Sequence, residues 1–204
     1  MKTCVKCFLF VLLVWTSTCA FGQKPVDNQL PYIRNQMSLS MSYSKVAFIP
    51  YRRMERLGMT GQLKGGNIQV MYGYSDWLEL GVALDACYAS HFWRPAEEGG
   101  YDVHLPTIQC YVGQEAKAHL FSAFWPEFSL IDLYAAGLIG VSATISTQSW
   151  PTRISPLVQI GAGAELNLSR HFGFYLEYGI NHKADTYLLG GFNIRFGGPK
   201  KWQR

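Results

Sequence analysis

Nine ionisable residues stand within stretches of otherwise small and apolar sequence: Glu79, Asp85, Glu115, Asp132, Glu165, Glu177, Lys117, His119 and Arg195. Such types can serve acid–base catalysis, metal ligation or enclosed ion pairing, and spacing decides which. No Ser/His/Asp arrangement declares itself by spacing, and scattered residues do not define a triad. The five histidines lack ligand spacing with each other or with cysteine, so no metal and no cofactor is expected. Gly161-Ala162-Gly163 reads as a strand interior in which small residues ease packing, not as a phosphate loop. Asn167-Leu168-Ser169 matches a glycosylation sequon by chance. No catalytic residue is expected. What remains for the nine charges is set by the elements that carry them.

The chain has 204 residues, of which 49% are hydrophobic, 15% aromatic and 16% charged. The charged share is well below the roughly 25% of soluble domains, and the aromatic content excludes disorder. Basic residues are dispersed, so no nucleic-acid partner is expected. Met1 to Gly22 reads as a secretory signal: Lys2 and Lys6, an apolar core from Cys7 to Trp15, then Ala20-Phe21-Gly22 as a small-x-small cleavage site. The core is too short to span a bilayer, which needs about 20 residues. The competing reading is a lipoprotein signal with Cys19 lipidated, although Thr16-Ser17-Thr18 lack the aliphatic residue that such a signal wants. Losing Lys2 and Lys6 from the 18 basic residues leaves 16 against 14 acidic ones, a near balance that names no partner.

From Met37 onward the sequence has a period of two. Eight runs alternate apolar with small or polar residues, for example Leu78, Leu80, Val82, Leu84 and Ala86 against Glu79, Gly81, Ala83 and Asp85. In the fourth run Gln114 breaks the pattern. Such alternation predicts strands with two different faces. Most runs are longer than a soluble strand and match the roughly 9–11 residues of a bilayer-spanning one. An even number permits closure with no unpaired edge in lipid.

The connections alternate in length. Ser75-Asp76, Ser122–Phe128 and Ser169-Arg170-His171 are short; Lys45 to Thr60, Ser90 to Leu105 and Thr147 to Ser155 are longer, and the last, near Lys183–Asp185, is short again. Transmembrane barrels keep short turns in the periplasm and long loops outside, which assigns both termini to the periplasm.

Period alone does not say which face is outside. A soluble ligand-binding barrel would need abundant charge on its outer face, whereas here the polar face is rich in Gly, Ser and Ala with few charges. Aromatics toward the run ends (Tyr72, Tyr74, Trp77, Tyr88, Phe172, Phe174, Tyr178, Phe196) suit an interfacial girdle. With the polar face inward, the nine charges form a luminal set. They serve either as a structural salt-bridge network or as the lining of a narrow, mildly cation-selective lumen. Cys87 and Cys110 remain after the signal is removed, in a compartment where disulfides form. Parity opposes a bond: Cys87 points into the lumen and Cys110 toward lipid, unless a bulge nearer the loop intervenes.

The stretches YGYSDWLELGVALDACY and GAGAELNLSRHFGFYLEYGINHKADTYLLGGFNIRFG resemble hairpins of small eight-stranded outer-membrane β-barrel proteins of the OmpA/OmpX type. The resemblance covers about residues 37–197 and rests on pattern rather than on an invariant motif. It implies an all-β, antiparallel up-and-down transmembrane barrel in the cell outer membrane of a Gram-negative bacterium, delivered by the barrel assembly machinery. Residues 23–36 would form a periplasmic N-terminal segment and 198–204 a periplasmic tail. That tail, GGPKKWQR with Gly197, departs from the pattern in which such barrels end on an aromatic residue, here Phe196. Some outer-membrane barrels hydrolyse lipid A acyl chains with a His and a Ser two residues later. Here His182 is followed by Ala184, so the nucleophile is missing.

Recognition would then sit on the loops. Lys45, Arg52, Arg53 and Arg56 make the first one basic, able to meet lipopolysaccharide phosphates beside the barrel or an acidic partner. The second, HFWRPAEEGGYDVH, mixes aromatics with both charges and suits a protein or glycan ligand. The expected function is structural or surface-interacting and not enzymatic. A narrow passive pore, a soluble periplasmic ligand-binding barrel and a lipid-modifying hydrolase stand behind it in that order.

Overall fold

The computed structural model describes residues 33–48, 61–94, 100–124, 130–146, 152–169, 171–183 and 185–197. The expected signal peptide with Cys19, most of the expected N-terminal segment, residues 198–204 and Arg52, Arg53 and Arg56 lie outside the described residues.

Each alternating run forms one strand: β1 (Gln36–Phe48), β2 (Gly61–Gly73), β3 (Leu78–Arg94), β4 (Tyr101–His119), β5 (Ile131–Ser146), β6 (Arg153–Asn167), β7 (Phe172–Asn181) and β8 (Thr186–Gly197). Every strand pairs antiparallel with its sequence neighbour, and β1 closes on β8 from Gln36↔Gly197 to Ala47↔Thr186. Closure satisfies the backbone of every strand within the ladder and leaves no open edge, the condition for a sheet in hydrocarbon.

Polarity across the wall is inverted relative to a water-soluble protein. Ile139 is 70% exposed and Leu84 52%, while Arg195 on the inner face is 2% exposed. Tyr72, Tyr74, Trp77, Tyr88, Phe174, Tyr178 and Phe196 all point outward. A soluble barrel needs the opposite arrangement, because apolar area left in water forgoes about 25 cal/mol per Å². The strands therefore build a transmembrane barrel.

Short connections are closed by their own side chains. Between β2 and β3, the amides of Tyr74 and Ser75 donate to the Leu78 carbonyl, and Ser75 Oγ accepts from the Leu78 amide at 3.1 Å. Ser169 plays the same part between β6 and β7, its Oγ accepting from the amides of His171 and Phe172. Between β7 and β8, Asn181 Oδ1 accepts from the amides of Lys183 and Asp185 while its Nδ2 donates to Asp185 Oδ2. These are the local side chain-to-backbone bonds that make Ser and Asn turn formers. The β4–β5 link begins with a one-turn helix, α1 (Leu120–Phe124). Ahead of β1, Asn35 takes a φ of 60° and donates its amide to the Gly73 carbonyl. A side chain at Gly73 would collide with the Ile33 backbone there.

Gln114 breaks the polarity pattern, as a polar residue facing outward between Val82 and Ile139, and the ladder keeps its register through it. Several expectations need correction. The second long loop is mostly strand, since β3 runs on to Arg94 and β4 begins at Tyr101. Lys45 belongs to β1 rather than to the first loop, and Arg153 to Ser155 belong to β6. A register shift does occur near the loop, between Ala89 and His91, but it leaves the cysteines apart. Cys87 pairs in register with Gln109 and Cys110 with Ala86, one side chain inside and one outside, and both thiols are free.

Candidate functional site

Inward-facing residues recur at every second position, so the barrel stacks its luminal side chains in layers. The layer nearest the short turns holds two ion-pair groups. His119, at the end of β4, has Nδ1 2.9 Å from Asp132 Oδ2 and Nε2 3.3 Å from Glu79 Oε2. A carboxylate at each ring nitrogen suits the imidazolium, which has two N–H donors. Asp132 also accepts from Ser122 Oγ at 2.7 Å and from the Phe121 amide at 3.1 Å, so it ties α1 to the barrel floor. Across the lumen Arg195 donates to Glu165 Oε1 at 2.6 Å and to Asn167 Oδ1 at 2.8 Å, and Asn193 donates to the same Glu165 oxygen.

Lys117 occupies the next layer. Its Nζ donates to Gln69 Oε1 at 2.6 Å, stands 3.7 Å from Glu115 and 3.8 Å from Glu177, and lies about 5 Å from the ring centres of Tyr134 and Tyr175. Two carboxylates and two ring faces surround one ammonium, which supplies both charge and cation–π partners. Glu177 in turn accepts from the hydroxyls of Tyr134 and Tyr187, both at 3.0 Å. Asp85 is set apart from this cluster and accepts from the Cys87 thiol at 2.9 Å. All nine charges named from the sequence are thus buried in the lumen. Eight of them fall into the three groups around His119, Arg195 and Lys117, and Asp85 stands alone.

Toward the long connections the lumen turns apolar. Val46, Leu63, Phe92, Leu105 and Leu189 pack with Cys87 and Ala89, and Leu138 and Leu157 pack with Tyr111. Sequence reading missed this layer. Leu63, Leu138, Leu157 and Leu189 occupy the parity reserved for small and polar residues, while Phe92 and Leu105 fell inside the presumed loop. A cavity beside Glu115, Gln69 and Gln159 measures about 10 Å³, the space of about one water molecule. The larger hollow, about 710 Å³, lies on the outer face, where Gly66, Ala86, Cys110 and Ala143 follow one another across four strands.

Of the basic set, Lys45 is half-buried in β1 and the three arginines are outside the described residues. His182 Nδ1 accepts from the Val158 amide at 3.3 Å, an engagement with backbone rather than with a nucleophile.

No family model matches the chain, and no curated protein matches it. Solved structures do match. The outer membrane protein OprG of Pseudomonas aeruginosa superposes with a TM-score of 0.60 at 8% identity, covering 81% of this chain and 97% of that one. Neisserial surface protein A gives 0.53 at 10% identity, covering 78% and 95%. The chain has the fold of the small eight-stranded outer-membrane barrels. A third such barrel, the attachment invasion locus protein Ail of Yersinia pestis in complex with the heparin analogue sucrose octasulfate, gives 0.52 at 14% identity, covering 80% and 99%. At these identities the likeness is one of fold, and the barrel's luminal residues have to be read from their own geometry.

Proposed function

We propose that this barrel resides in the outer membrane of a Gram-negative bacterium as a non-enzymatic structural or surface-interaction protein. Its recognition lies in the longer connections, and both termini face the periplasm. The observation that carries this reading is the filled lumen: three ion-pair groups and an apolar layer occupy the interior, and the cavity among them holds about one water molecule. Among the described residues, ion pairs and packed apolar side chains take up the interior, which favours a surface role over conduction. The luminal charges then act as a structural network, each offsetting the desolvation of another.

The outer face meets membrane lipid and lipopolysaccharide, and the barrel assembly machinery inserts the chain. A ligand at the surface would be a protein or a glycan. Arg52, Arg53 and Arg56 favour an anionic one, and the heparin analogue on the distantly similar Ail supports testing a sulfated glycan first. The experiment pairs two measurements on the refolded barrel. In planar bilayers no steady single-channel conductance is expected; a regular conductance would instead favour the narrow pore. On immobilised heparin, retention that weakens with salt and falls on R52A/R53A/R56A supports loop recognition. Unchanged retention by the triple variant refutes the basic connection as its seat.

A further inference from the structure

The β3–β4 hairpin stands taller than a membrane needs. A bilayer-spanning strand takes about 9–11 residues. Counted from Leu78, the eleventh residue of β3 is Tyr88, an outward aromatic at interfacial height paired with Ile108. His91 and Trp93 lie beyond it on β3, and His104 lies on the facing stretch of β4.

The register shift between Ala89 and His91 reorganises this end. Below it, odd-numbered residues of β3 such as Asp85, Cys87 and Ala89 point inward. Continued without the shift, that alternation would send His91 into the lumen. With it, Phe92 turns in at 1% exposure and His91 turns out, directly opposite His104. The two imidazoles meet on the outer surface with ring centres 5.1 Å apart and planes at 71°. Beneath them Phe92 and Leu105 belong to the buried apolar layer, which holds both strands of the hairpin in place.

That separation is ordinary for an edge-to-face ring pair and is also the one a shared ion requires. Zinc binds imidazole nitrogen at about 2.0–2.1 Å in tetrahedral geometry, which places the ring centres of two histidines on one ion about 5 Å apart. We propose that His91 and His104 form a two-histidine site for a divalent transition metal of the zinc class, open to water at its remaining positions, on the outer face of the β3–β4 hairpin beyond the lipid belt. Imidazole pairs select such ions over magnesium and calcium, which prefer oxygen ligands. The bond is coordinate: each neutral ring donates a nitrogen lone pair, and no oxidation or group transfer is involved.

The test is a zinc titration of the tag-free chain from Gln23 onward, without the cysteines of the expected signal, refolded in detergent micelles and followed by calorimetry. One ion per chain is expected, with no heat from magnesium. His91→Ala and His104→Ala should each weaken binding at least tenfold, while His182→Ala, at a separate hairpin, should leave it unchanged. Assigned histidine ring signals in the NMR spectrum of the unmutated protein give a readout independent of variant folding: those of His91 and His104 should shift together as zinc is added. The proposal is overturned if the unmutated chain takes up no zinc, if either variant keeps full affinity, if His182→Ala loses as much, or if the two ring signals stay in place.

Discussion

Tyr187 of β8 fills the space that a side chain at its register partner Gly179 would occupy, and from there donates its hydroxyl to Glu177 Oε1 at 3.0 Å. Tyr134 does the same opposite Gly163 and reaches the other oxygen of the same carboxylate at 3.0 Å. Two cross-strand Tyr–Gly pairs thus converge on one acid. The glycines are the recesses that let large rings lie inside a narrow barrel.

Filling a recess should be costly. Gly163→Val and Gly179→Val each place methyl groups where a tyrosine ring now sits, with an expected loss of about 1–3 kcal/mol from overpacking. Gly137 offers the comparison: it lies on the outer face with nothing within 4 Å of an added Cβ, so Gly137→Ala should stay within about 0.5 kcal/mol of the parent. Urea unfolding in micelles, monitored by tryptophan fluorescence, measures all three. Equal losses at Gly137 and Gly163 would remove the recess argument.

Glu177 links both tyrosines to Lys117, so its replacement by an apolar residue should act on all three at once. Glu177→Leu is expected to cost about 3–5 kcal/mol, the usual penalty for removing one partner of a buried ion pair. Glu177→Gln keeps an oxygen for a tyrosine hydroxyl and should lose clearly less. The same unfolding measurement ranks them, and a reversed order contradicts the bonding described for this layer.

Phe92 and Trp93 are sequence neighbours on opposite sides of the wall, 1% and 49% exposed. Phe92→Ala should therefore lose about 3–5 kcal/mol by opening the apolar layer. Trp93→Ala should change stability by no more than about 0.5 kcal/mol. If the tryptophan proves the costlier of the two, β3 does not turn over its alternation where the register shift places it.

The cysteines give a chemical check on the register. Both are free, with Cys87 at 2% exposure in the lumen and Cys110 on the outer face. A small apolar maleimide should label Cys110 in folded micelles and reach Cys87 only after unfolding, since thiol reactivity follows access. Gel mobility should not depend on reductant. A reductant-sensitive shift of the monomer band would mean that β3 and β4 had slipped by one residue, which brings Cys87 opposite Cys110.

Much of the barrel was legible because a strand's period of two writes its inner and outer faces directly into the sequence. Parity placed Glu79, Glu165 and Arg195 on the inner face without any knowledge of their partners, and it separated Cys87 from Cys110. Partnership was not legible: Arg195 meets Glu165 across β7, a relation set by the register of three strands and the reach of the arginine rather than by spacing. Polarity and pairing are separate signals: Gln114 interrupts the apolar stripe, yet the ladder passes through it. Leu63 and Leu189 stand on the inner parity and gave no signal of the apolar layer, because an interior shielded from water accepts leucine as readily as lipid does. The strand extension was hidden by HFWRPAEEGGYDVH, whose Pro, Gly and charges read as loop while its ends carry the hairpin on.

Seven of the eight ladders join strands that are consecutive in the chain, and the eighth joins the first strand to the last. Hairpin ladders have low contact order and form early, whereas the seam between Gln36 and Gly197 spans nearly the whole described chain and bears the largest loop-closure entropy. Assembly is accordingly a series of quick local zippings followed by one slow sealing step, which waits on the final strand. The converse holds for disassembly: a cylinder with no free end frays only if some seam first ruptures along its length. The time the folded barrel survives in hot detergent or protease should therefore track the rate of that rupture more closely than any equilibrium balance of the layers within.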